Sequence, residues 1–97
     1  MGVGYALLED LGVQDGQVGS AHLGDYKLPN IADLAPLEVV LVEGGKGVGA
    51  RNIKAIGETA NVPTAAAIAN AVADAIGARV DSLPLTPEKV LRALRQA

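Results

Sequence analysis

The sequence holds no cysteine, no phenylalanine and no tryptophan, and only one histidine and one methionine among its 97 residues. Without cysteine there is no disulfide framework, no iron–sulfur cluster and no thiolate zinc site on this chain. The single histidine, His22, leaves too few nitrogen donors for a metal centre built by the protein itself. Tyr5 and Tyr26 are the only aromatic residues, so the burial of roughly 150–250 Å² that each aromatic side chain brings is scarce. Alanine supplies much of the hydrophobic content instead, and alanine suits close helix packing against a surface of another polypeptide or domain. Cations are sparse too. Eight Lys and Arg stand against eleven Asp and Glu, a net charge of −3, and they are scattered along the chain. That excludes the clustered basic footprint of a nucleic-acid binder. No apolar run reaches eighteen residues and no signal-peptide pattern is present. The sequence therefore marks neither membrane insertion nor export, and a cytoplasmic location is the default expectation. The length allows one small domain, residues 1–97, with a marginal core.

What the chain does have is a dense group of glycines. Five of its twelve lie between Gly44 and Gly57, directly after the apolar run Val39-Val40-Leu41-Val42. Glycine costs backbone entropy, so this density points to left-handed positions or to a backbone that something else approaches closely. A long surface loop is the plainer reading, and the residues alone leave both open. The loop ends on one carboxylate, Glu58, just before an alanine-rich helical stretch.

Taken in order, residues 1–12 read as a short helix stopping at Gly12, with two glycines and no capping side chain at its start. Such a start is what a helix cut through its middle would show, so a fragment is expected. Asp15-Gly16 marks a hairpin tip between Val13 and Val18. Residues 18–28 read as an irregular strand that carries His22 and is ended by Pro29. Residues 37–42 read as the clearest strand, with Leu37, Val39 and Leu41 on one face and Val40 and Val42 on the other. A strand apolar on both faces is one covered on both sides. Asn61 and Pro63 then open a helix running from about Thr64 to Ile76, with Gly77 as its stop. Ile68, Val72 and Ile76 make its buried stripe. Asn70 and Asp74 share a polar face that reads as solvated. A short strand at Arg79-Val80 is followed by a terminal helix, with Thr86 as N-cap and Pro87 at its first position. The expected fold class is α+β: a small mixed sheet packed by the alanine-rich helix and the C-terminal helix.

Two phosphate-binding patterns are weighed and set aside. Gly45-Lys46-Gly47-Val48-Gly49-Ala50 fits the glycine fingerprint of dinucleotide folds, but no second strand follows and Gly57 interrupts the required crossover helix. A Walker loop fails because no Gly-Lys-Ser/Thr ends the run. Glu58 remains as a candidate general base, beside the reading of an ordinary solvated glutamate.

Lys54-Ala55-Ile56-Gly57-Glu58, then Pro63-Thr64-Ala65-Ala66-Ala67-Ile68-Ala69-Asn70-Ala71-Val72 and Leu83-Pro84-Leu85-Thr86-Pro87-Glu88-Lys89-Val90, resemble the C-terminal end of the molybdopterin-binding large subunit of the xanthine dehydrogenase and aldehyde oxidase family, the molybdenum hydroxylases. Gly2-Val3-Gly4-Tyr5-Ala6-Leu7 and Asp25-Tyr26-Lys27-Leu28-Pro29 follow the same family order. The resemblance covers essentially the whole chain. It departs at Gly49-Ala50-Arg51-Asn52-Ile53-Lys54, where family members commonly carry a Gly-Pro-aromatic-Gly-Ala-Lys pattern.

The resemblance implies that Glu58 is the active-site glutamate, the general base on a molybdenum-bound hydroxyl that attacks an aldehyde or an N-heterocycle. It implies Gly57 beside the cofactor, molybdopterin in the intact enzyme, and iron–sulfur clusters and FAD on other domains or subunits. The expected partners are the remainder of the subunit, those iron–sulfur and FAD units, and a small-molecule substrate. The 97 residues alone are expected to bind no cofactor and to catalyse nothing, and to self-associate through surfaces meant for missing neighbours. A standalone structural or interaction domain with the same scaffold and no catalysis is the alternative.

Overall fold

The computed structural model describes residues 1–96. Four helices and one hairpin carry the regular structure: α1 at Gly2–Leu7, β1 at Val13–Gln14, β2 at Gln17–Val18, α2 at Leu23–Tyr26, α3 at Thr64–Ile76 and α4 at Pro87–Leu94. The long connection between α2 and α3 holds only two single-turn 3-10 segments, Ile31–Asp33 and Ala50–Asn52.

The two long helices form where local signals are strong. α3 ends at Gly77, whose left-handed φ of 71° lets its N–H reach the Ala73 carbonyl. α4 begins with the Thr86 hydroxyl accepting from the Lys89 N–H, and Pro87 occupies the first turn. Glu88 sits beside that cap. Its own backbone N–H and the Thr86 hydroxyl hold its carboxyl below the usual range. The hairpin pairs Val13 with Val18 and Gln14 with Gln17 in antiparallel register. Asp15 and Gly16 supply the two positive φ values that a two-residue hairpin turn needs.

Packing runs through α1. Gly2, Gly4 and Ala6 form its buried face, and α3 comes so close that a Cβ on Gly2 would lie 2.5 Å from the Thr64 Cβ. Leu85 reaches the same helix, its N–H donating to the Ala6 carbonyl at 2.7 Å, and both Pro84 and Leu85 are buried. Ala6 and Leu85 are the buried apolar side chains among the described residues. On α3 the half-buried positions are Thr64, Ala65, Ile68, Ala69, Val72, Ala73 and Ile76. The stripe expected from Ile68, Val72 and Ile76 is therefore present, although none of its members is fully covered. Glu9 folds back over Gly4, and its carboxylate holds the Tyr26 phenol above its ordinary value.

Several sequence expectations are corrected. Residues 37–42 form no strand; they are exposed and carry no regular secondary structure. A strand exists only when neighbouring backbone accepts its hydrogen bonds, and the chain brings none to this stretch. The expected mixed sheet is therefore a two-stranded antiparallel hairpin, and α3 packs on α1 rather than on a sheet. The irregular strand expected over residues 18–28 is instead the end of β2 followed by α2, with His22 at the N-cap position. The first helix stops at Leu7 rather than Gly12, because the Leu8 and Glu9 N–H groups both turn back onto the Gly4 carbonyl. No strand forms at Arg79-Val80. Pro63, not Asn61, holds the N-cap position of α3, and no side chain caps it.

The molecule is open. Its radius of gyration is 17.2 Å, where a folded domain of this length has roughly 12–13 Å. Its accessible surface is 8082 Å², against roughly 5,200 Å² expected for a monomer of this mass. The difference is roughly 2,900 Å², and large apolar side chains along residues 28–62 are among those left uncovered.

Candidate active site

Glu58 lies in the turn that leads into α3, and that turn is anchored rather than loose. The Glu58 carbonyl accepts from the Asn61 N–H at 2.9 Å, and the Asn61 carbonyl accepts from the Thr64 N–H at 3.3 Å. The Tyr5 hydroxyl on α1 also donates to the Asn61 carbonyl, at 2.8 Å. Thr64 closes the turn from the other side, its hydroxyl donating to the Ala60 carbonyl at 3.2 Å. The backbone three residues beyond Glu58 is thus tied to the best-buried element of the fold. Its carboxylate, by contrast, is exposed, as is Gly57 before it. A Cβ on Gly57 would meet nothing within 4 Å, so no atom of the described residues requires glycine there.

The glycine loop upstream closes on itself. Gly44 and Gly45 take positive φ values of 114° and 72°, a region that disfavours other residues. The Lys54 ammonium donates to the Gly44 carbonyl across the base of the loop. Inside it, a Cβ on Gly47 would collide with the Ile53 carbonyl and lie 2.7 Å from the Asn52 carbonyl oxygen. Arg51 and Asn52 are both left-handed, at φ 58° and 59°, which is unfavourable for arginine and tolerated by asparagine. Lys54, Gly57 and Glu58 therefore share one feature: the lysine locks the loop and the next turn presents the bare glycine and the acid to solvent.

Two side-chain contacts escaped sequence reasoning. Tyr5 reads only as a rare aromatic, yet its hydroxyl fixes the turn behind Glu58; a polar handle on one of two aromatics was the available signal. Asn70, expected on a solvated face, accepts from the Arg79 guanidinium at 3.0 Å. Together with Asp74 and Gly77 these two residues line an open cleft of about 410 Å³ beside the C-terminal half of α3. It lies away from the turn that bears Glu58.

No family model matches the chain. Individual relatives do. The xanthine dehydrogenase molybdenum-binding subunit of Escherichia coli O157:H7 is 41% identical over 93% of the chain, which corresponds to 12% of that protein. The aldehyde oxidoreductase molybdenum-binding subunit PaoC of Escherichia coli K12 is 36% identical over 94% of the chain and 13% of its own length. The nicotine 6-hydroxylase large subunit of Paenarthrobacter nicotinovorans is 34% identical over 97% of the chain and 12% of its own length. The chain thus spans about an eighth of the length of these curated relatives. The family expected from Lys54-x-x-Gly57-Glu58 and the helix after it is the family found: the chain matches a segment of the molybdenum-binding subunits of xanthine dehydrogenase and aldehyde oxidoreductase. Among the described residues no helix is long and apolar enough to cross a membrane.

Proposed function

We propose that the chain is part of the molybdopterin-binding domain of a molybdenum-dependent hydroxylase, and that Glu58 is its general base. The intact protein then oxidises an aldehyde or an N-heterocycle by inserting an oxygen at an electron-poor carbon. The observation that carries this reading is the similarity to molybdenum-binding subunits along more than nine-tenths of the chain, with Glu58 held in the turn before α3. The excess surface of roughly 2,900 Å² weighs against a standalone domain of the same scaffold.

The residues present fit such a group. Among the described residues no three of His, Cys, Asp or Glu gather to ligate a metal. Gly57 has open space where a side chain would stand, so its backbone can lie flush against the cofactor. The cofactor, when bound, supplies the hydroxyl for transfer and takes up the two electrons. With that group bound, Glu58 would take up a proton at its carboxylate oxygen as the substrate carbon is oxidised, the role of a general base. General-base catalysis of this kind contributes roughly 10²–10⁴-fold. It requires that water be kept from the carboxylate. Since Glu58 is exposed on this chain, the cover comes from the remainder of the subunit. Iron–sulfur and FAD domains or subunits would supply the onward acceptors for those electrons.

The test is to purify the intact protein with its neighbouring subunits and measure molybdenum and pterin content together with dye-linked oxidation of aldehydes and N-heterocycles. Stoichiometric molybdenum and pterin with turnover of one of these classes is the expected result. A well-folded intact protein that carries neither overturns the assignment.

A further inference from the structure

The longest uncovered apolar stretch is residues 37–42. Leu37, Val39, Val40, Leu41 and Val42 are 88, 73, 73, 67 and 86% exposed. No left-handed residue interrupts the stretch before Gly44, so nothing in the local backbone forbids an extended strand. Extended, it would set Leu37, Val39 and Leu41 on one face and Val40 and Val42 on the other.

Two occupants are conceivable for the bare edges: a second copy of this chain or the rest of a larger subunit. Pairing with a second copy satisfies one edge and leaves both apolar faces wet. In a parallel, in-register pair it would also stack Glu38 on Glu38 and Glu43 on Glu43, which is unfavourable. The area argues the same way. A standard interface covers about 800 Å² per partner, well under a third of the roughly 2,900 Å² that this chain exposes in excess. A strand apolar on both faces belongs inside a sheet covered on both sides, and the relatives are about eight times as long as the chain.

We propose that residues 37–42 are an internal β-strand of the intact subunit, paired along both edges with strands from the seven-eighths of the subunit outside this chain. The proposal rests on membership in that larger subunit and not on the role of Glu58. In the isolated chain the stretch is a docking strand without a sheet.

Amide hydrogen exchange read by mass spectrometry tests this on the 97-residue chain and on the intact subunit. Peptides covering residues 37–43 are expected to exchange at the unstructured rate in the chain, and roughly a hundredfold or more slowly in the subunit. Equal, fast exchange in both overturns the proposal. Protection that grows with concentration in the isolated chain, with none added in the subunit, assigns the stretch to a second copy and also overturns it. Failure here is separable from failure of the functional reading. A protected stretch in a subunit without molybdenum sinks the chemistry alone, and an unprotected stretch in an active molybdenum enzyme sinks the docking alone.

Discussion

Replacing Gly2 by alanine sets two effects of opposite sign against each other. Alanine is the better helix former, by up to about 1 kcal/mol in a helix interior. At this position, however, the new Cβ would lie 2.5 Å from the Thr64 Cβ and 2.6 Å from both its Cγ2 and its Oγ1. Rotating the Thr64 side chain moves the last two atoms but not its Cβ, so α1 and α3 must separate. Overpacking of this kind costs about 1–3 kcal/mol. Separation also stretches the hydrogen bond from Tyr5 to the Asn61 carbonyl, a bond of the kind worth about 1 kcal/mol. Packing wins, and Gly2→Ala is expected to destabilise the chain by about 1–2 kcal/mol. Urea titration followed by far-ultraviolet circular dichroism measures it. The same substitution in a Thr64→Gly background, where the clash is gone, should lose most of that cost. If Gly2→Ala instead stabilises the chain by the helix-propensity amount, the close approach of α1 and α3 is wrong.

Gly47→Ala should open the loop locked by Lys54, since its Cβ meets the Asn52 and Ile53 backbone. Limited trypsin digestion should then cut at Lys46, Arg51 and Lys54 roughly tenfold faster or more, and an unchanged rate refutes the closed loop. Tyr26 should ionise above the ordinary tyrosine value because the Glu9 carboxylate favours its protonated form. The sign follows: the favourable interaction of Tyr26 with Glu9 is present below the ordinary value of about 10 and is lost as pH rises through the raised one. An ultraviolet titration in a Tyr5→Phe background, where Tyr26 alone reports, should move down toward that ordinary value when Glu9 becomes Gln. No movement would refute the pairing.

The parts of the fold legible in the sequence are those with short-range causes. Gly77 ends α3, Thr86 and Pro87 start α4, and Asp15-Gly16 turns the hairpin, each through a few adjacent residues. Residues 37–42 have a strand pattern but no strand, because a ladder needs a second backbone that these 97 residues do not bring to it. α2 went unseen because Gly24 and its four-residue length leave no helical period to read. Glu58 stands out as a candidate only through the pattern around Lys54, Gly57 and the following helix. Its anchor, Tyr5, lies 56 residues from Asn61 in sequence, a separation that no local pattern can bridge.

The central claim is that Glu58 moves a proton during substrate oxidation, and Glu58→Gln in the intact, cofactor-loaded enzyme tests it most directly. The amide keeps the side chain's shape and removes the base, while the turn is held by backbone atoms of Glu58, Asn61 and Thr64. Rapid-mixing measurement of the reductive half-reaction, with molybdenum and pterin content matched to the parent enzyme, should show the rate falling by roughly 10²–10⁴-fold. Reduction at the parent rate with full cofactor loading would contradict the assignment.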